Sequence, residues 1–287
     1  FAYFLKNYFP HYLRSDSQSK LHEYLFCELP AMLANPKSQN YALAAPRGEA
    51  KSTIVTRLFS LYCVITGQKR YIVIVSNTYE QAAEFLAAIK TELEANTRLK
   101  IDFPQVFGVG KTWTTGKIIT KNHVQIRVAG AAKSLRGFVH GAYRPDLVIL
   151  DDLENDDNVR SPQQRDKLET WLKSAVLKLG VVGEKFDVFY IGTILHYDSV
   201  LNRILKNKGW KTAIFKALIR YPDNMTLWDE YEAIFHSDGA DVAEAFYLSN
   251  KVAMDKGAVV SWVARPLLDL MFLRARDGSC LLYTSDA

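Results

Sequence analysis

Residues 41–53 read YALAAPRGEAKST, and this stretch decides the fold. Five small or apolar residues make a run of strand length, Pro46 and Gly48 interrupt it, and Lys51-Ser52-Thr53 opens a helical pattern that Gly67 closes. A strand that turns straight into a helix gathers successive backbone N–H groups and the positive helix end at one point. That is the geometry that cradles phosphate. Lys51 is placed to reach a γ-phosphate and Ser52 to put its hydroxyl on Mg²⁺, with Arg47, Gly48, Glu49, Ala50 and Thr53 completing the loop. The usual pattern is G-x-x-x-x-G-K-[ST], and here Ala45 and Ala50 stand at its two glycine positions. Alanine resists positive φ and crowds close backbone approach, so Gly48 is expected to supply the flexible point.

A second stretch gives the loop its meaning. Residues 146–152, DLVILDD, form an apolar run that ends in carboxylates. An aspartate at the C-terminal end of a buried strand can hold Mg²⁺, and an acid beside it can orient an attacking water. Asp151 is the expected metal ligand. The catalytic base is either Asp152 or Glu154, because the acids continue as LENDD. Residues 190–193, YIGT, end another strand on Gly192 and Thr193, a pair suited to sensing the γ-phosphate through a backbone switch and a hydroxyl. Arg47, Arg136 and Arg144 are candidates for stabilising transition-state charge, in cis or on a neighbouring subunit's nucleotide.

Outward from these motifs, strand and helix patterns alternate. YIVIV at 71–75 is a β-branched run covered on both faces, and Asn77 is expected to cap a helix to about Ala95. Residues 117–120 and 124–129 read as a hairpin. Ser161-Pro162 starts a helix that ends near Gly180, and 186–191 is the next strand. The expected class is therefore α/β, a mostly parallel sheet with helices on both faces. Residues 1–36 read as a helical layer interrupted near Pro10, 37–208 as the core, and 209–278 as a smaller aromatic-rich unit. Residues 279–287 resemble a translated synthetic adaptor and are expected to be foreign to the natural chain, which reads as starting inside a longer frame. Hydrophobic residues at 48% support a sizeable core, and no apolar run is long enough for a membrane span. The net charge of +5 is compatible with a polyanionic partner. Three cysteines and six scattered histidines show no metal spacing, and Cys27 and Cys63 are expected as core residues in a reducing setting.

Taken together, APRGEAKST, LRGFVHGAYRPDLVILDDLEND, FYIGTILHYDSVL and FYLSNKVAMDKGAVVSWVARPLLDLM resemble the large terminase subunit of tailed bacteriophages, over most of residues 40 to 275. The resemblance implies a P-loop ATPase of the additional-strand, RecA-like type, followed by a small lid or linker subdomain. It implies ATP and Mg²⁺ as cofactors and viral genome packaging as the task. Lys51 and Ser52 fall on the phosphate-loop positions, Asp151 and Asp152 on the Walker B pair, Glu154 on a catalytic carboxylate, and Gly192–Thr193 on the coupling motif. Double-stranded DNA, a portal protein, a small terminase subunit and a homo-oligomeric ring are the implied partners, in the host cell cytoplasm. In the family a nuclease domain follows, and this chain is expected to stop before it. Two other readings remain at this point: a helicase of the second superfamily, which needs a second RecA-like domain, and a degenerate loop serving only as an assembly scaffold.

Overall fold

The computed structural model describes residues 1–13 and 15–278; the tail expected at 279–287, with Cys280, lies outside the described residues. The buried runs become strands: β1 (Asn40–Ala44), β2 (Tyr71–Ser76), β3 (Thr112–Trp113), β4 (Lys117–Ile119), β5 (Gln125–Gly130), β6 (Leu147–Asp151), β7 (Asp187–Gly192) and β8 (Lys211–Ile214). They form one eight-stranded sheet in the order β3-β4-β5-β2-β6-β7-β1-β8. Six of these strands, β5 to β8 in that order, run parallel, and β3 and β4 add antiparallel at one edge. The α/β reading of the sequence is thus realised as a mostly parallel sheet.

Alternate residues of each central strand face opposite layers, because side chains on a strand repeat with a period of two. Leu43, Ile72, Ile74, Leu147, Ile149, Phe189 and Ile191 point into one core. It is covered by α1 (Ala2–Tyr8), α2 (Lys20–Ala34), the helix over 51–66 that ends as α3 (Ser60–Thr66), and α4 (Tyr79–Ala95). A short α5 (Thr97–Asp102) adds Leu99 to the same core. Val73, Val75, Val148, Leu150, Val188 and Tyr190 face the other core, under α6 (Pro162–Ser174) and α7 (Val200–Leu205). The remaining chain builds a third core of its own. A two-stranded sheet of β9 (Leu218–Arg220) and β10 (Val259–Val260) joins α8 (Thr226–Asp238), α9 (Ala240–Asp255) and α10 (Leu267–Asp277). Trp228 is buried at its centre, donating Nε1–H to the Met254 carbonyl at 2.9 Å.

Three details differ from the sequence reading. Thr78, not Asn77, caps α4, its hydroxyl accepting from the Gln81 N–H at 3.2 Å. Residues 211–214 pair with β1, so the main sheet runs past 208. Cys27 is exposed while Cys63 is buried, because α2 turns Leu21, Leu25, Leu29 and Met32 inward and Cys27 falls off that stripe. Among the described residues no helix is long and apolar enough to cross a membrane.

Candidate functional site

β1 delivers the chain into the lysine loop at the C-terminal edge of the sheet, where the Ala45 N–H donates to the Gly192 carbonyl at 3.0 Å. Gly48 turns at φ +86°, as expected, but Ala50 also adopts a left-handed φ of +53°. The loop therefore keeps the glycine-type backbone with an alanine in it. Lys51 then starts the helix, whose Thr53–Phe59 stretch is π-helical. Four residues apart along this helix, Ser52 and Thr56 set two hydroxyls on one carboxylate. Ser52 Oγ donates to Asp151 Oδ1 at 2.9 Å and Thr56 Oγ1 to Asp151 Oδ2 at 2.5 Å.

Asp151 is fully buried at the end of β6. Burial, with the charge of Asp152 next to it, pushes its pKa up to about 6, against the pull of Thr56, Lys51 and Ser52. Asp152 takes φ +46°, an unusual value for an aspartate, and this turn aims its carboxylate at the loop. Its Oδ2 lies 3.0 Å from Lys51 Nζ, and its Oδ1 accepts from the Thr193 N–H at 3.1 Å. The approach is close at Gly192, where a Cβ would sit 3.3 Å from Asp152 Oδ1 and 3.2 Å from Leu201 Cδ2 and would press on both side chains. The Thr193 hydroxyl donates to the Ala45 carbonyl at 3.3 Å, closing the circle back to the loop. Lys51, Ser52, Asp151, Asp152, Gly192 and Thr193 are thus one connected group.

The other expected site residues are placed elsewhere. Glu154 is buried, but its Oε1 accepts from the Val200 N–H at 2.8 Å and its Oε2 from the Leu201 N–H at 3.1 Å. It holds the first turn of α7, and burial pushes its pKa up. Both oxygens of this candidate base face the α7 N–H groups, with the Tyr190 hydroxyl also donating to Oε2 at 3.4 Å, whereas Asp152, the other candidate, faces Lys51. Arg47 is exposed in the loop and faces Asp156 at 3.6 Å. Arg136 and Arg144 are exposed in the β5–β6 connection, with no side-chain hydrogen bond or ion pair among the described residues. Glu49 is only 1% exposed, and among the described residues neither carboxylate oxygen finds a hydrogen-bond partner. Burial raises its pKa, with Ser19 and Arg265 opposing.

Several contributors carry no motif in the sequence. Thr56 is one. His22 is another: its Nδ1 accepts the Ser19 N–H at 3.2 Å, which leaves the proton on Nε2 to donate to the Glu49 carbonyl at 2.9 Å. The third is the segment before α10. Arg265 Nη1 donates to the Arg47 carbonyl at 2.7 Å, and Trp262 Nε1 donates to the Ser17 carbonyl at 3.1 Å. Between residues 10–13 and 15–18, the lysine loop and Trp262 opens a cavity of about 860 Å³. Capping pattern at Ser19–His22 was the one available signal; nothing in the sequence ties residues 262–265 to the loop.

The donor set suits a hard divalent cation that keeps waters and takes phosphate oxygens. Asp151 offers one carboxylate and Ser52 and Thr56 offer hydroxyls, whereas among the described residues no group of three or more His, Cys, Asp or Glu could hold a metal by itself. Compared with family models and with curated protein sequences, the chain matches none.

Proposed function

We propose that this chain is the ATPase portion of a DNA-packaging motor of the large-terminase type, hydrolysing ATP with Mg²⁺ to move double-stranded DNA into a procapsid. The observation that carries the nucleotide reading is the meeting of two motifs distant in sequence: Ser52 bonds Asp151 across 99 positions, and Lys51 pairs with Asp152. β7 stands between β1 and β6, which fits the additional-strand class of P-loop ATPase. After Ala217 the chain forms helices and a two-stranded sheet with their own core. That arrangement favours a lid or linker over the second RecA-like domain of a helicase. The DNA, the portal and small-subunit partners, the ring and the host-cytoplasm location rest on the sequence resemblance.

In this reading Lys51 exchanges its bond to Asp152 for the terminal phosphates of the nucleotide, and the loop N–H groups hold the same phosphates. Mg²⁺, when bound, neutralises developing phosphate charge. Ser52 and Asp151 would hold it, and the cavity beside the loop has room for the rest of the nucleotide. Asp152, freed from Lys51, orients the attacking water. Its bond to the Thr193 N–H makes Gly192–Thr193 the element that feels the change and passes it to β7 and β1. Lys51→Ala is expected to abolish ATP hydrolysis while leaving the melting curve near wild type. Full turnover in that variant would remove the assignment.

A further inference from the structure

We propose that Arg265 is the arginine that contacts the polyphosphate in the lysine loop, and that it links the small C-terminal unit to nucleotide occupancy. The inference rests on the nucleotide reading above and adds a residue that lies 218 positions from its loop partner. The arginines expected near the site fall short: Arg136 and Arg144 lie exposed in another connection, and Arg47 faces Asp156 at the surface. Arg265 is different. Its guanidinium lies against the loop backbone, Nη1 being 3.7 Å from the point where a Cβ on Gly48 would be. Its hydrogen bond goes to the Arg47 carbonyl, which uses one of five N–H donors and leaves a fork suited to phosphate oxygens.

The position of Arg265 is imposed by its neighbours. The Arg265 N–H closes a turn onto the Trp262 carbonyl at 2.9 Å. The Ser261 N–H donates to Ala217 at 2.8 Å, and Trp262 is held edge-on to His22 with ring centres 5.0 Å apart. Two residues further on, α10 begins and enters the core around Trp228. A contact made by Arg265 is therefore transmitted to the small unit as a whole. A polyphosphate in the loop adds several negative charges beside a guanidinium that now faces a carbonyl and the buried Glu49. Binding should hold Arg265, and with it α10, more firmly on the loop it already touches. By thermodynamic linkage, the docked small unit should raise nucleotide affinity by the same factor.

The test is calorimetric titration of the full chain with Mg–ATP, in wild type, Arg265→Ala and Arg265→Lys, with Lys51→Ala alongside. Loss of one charge-assisted contact is expected to weaken binding roughly 10- to 100-fold in Arg265→Ala, and Arg265→Lys, which keeps the charge without the fork, is expected to recover part of it. In wild type, Mg–ATP is also expected to slow hydrogen exchange over residues 259–277, and Arg265→Ala to lose that protection. Wild-type affinity in Arg265→Ala would overturn the proposal while leaving the nucleotide reading in place. Equal weakening in both Arg265 variants with lowered melting temperatures would overturn it too, marking the residue as a structural clasp. No binding by wild type would end the nucleotide reading and this inference together.

Discussion

Ala50 sits in the left-handed region at φ +53°, where an alanine is strained by about 1–2 kcal/mol and a glycine is not. Glycine brings back about 0.5–1 kcal/mol of chain entropy. Ala50→Gly is therefore expected to raise unfolding stability by up to about 1 kcal/mol in a urea titration. A loss of similar size would show that the loop is relaxed. His22 gives a pH prediction. Burial lowers its pKa below the ordinary 6.5, so the folded chain takes up its proton less readily than the unfolded chain. Stability from this group is full above 6.5 and is lost as pH falls through the window below it. The difference in urea midpoint between wild type and His22→Gln is expected to shrink on acidification below about 6.5. The residue scale is also where the sequence was least legible. Asp152 and Glu154 are two acids just past one strand, and only the backbone turn at φ +46° sends Asp152 to Lys51. Local composition carries no record of that turn.

At the scale of elements, the sequence was read most easily where burial was complete. β2, β6 and β7 are buried along their whole length, and each stood out as an apolar run. β8 and β3 were missed because they are short edge strands whose residues are exposed or half-buried, so no hydrophobic pattern marks them. The π-helical Thr53–Phe59 was invisible for another reason: the apolar spacing of residues 53–59 reads the same for an α-helix, so nothing in the pattern marks the widened turn. The role of Glu154 also belongs to this scale. Glu154→Gln turns one acceptor into a donor facing a helix N–H, which is expected to cost about 1–3 kcal/mol of stability. Asp152→Asn is expected to stop ATP turnover with a far smaller change in the melt. Parallel urea and turnover measurements on the two variants separate the roles, and the reverse pattern would make Glu154 the base.

Over the whole molecule, two bodies of core coexist: the sheet with its two layers, and the cluster around Trp228. Trp228→Ala is expected to remove about 3–5 kcal/mol from the small unit, enough to melt it first. Urea unfolding followed by circular dichroism should then show an early partial step before the main transition, and a single shifted transition would mean the two units unfold as one. The strand order has a further consequence, concerning time. β1 is made early, yet both its neighbours, β7 and β8, are made late. At a synthesis rate of about 5–20 residues per second, the ribosome takes on the order of ten seconds to go from Asn40 to Val188. Throughout that interval β1 is a hydrophobic segment with two open edges, the kind that recruits foreign strands. Birth order thus makes the lysine loop one of the last parts of the nascent chain to take shape, and a chain stopped at residue 180 is expected to aggregate.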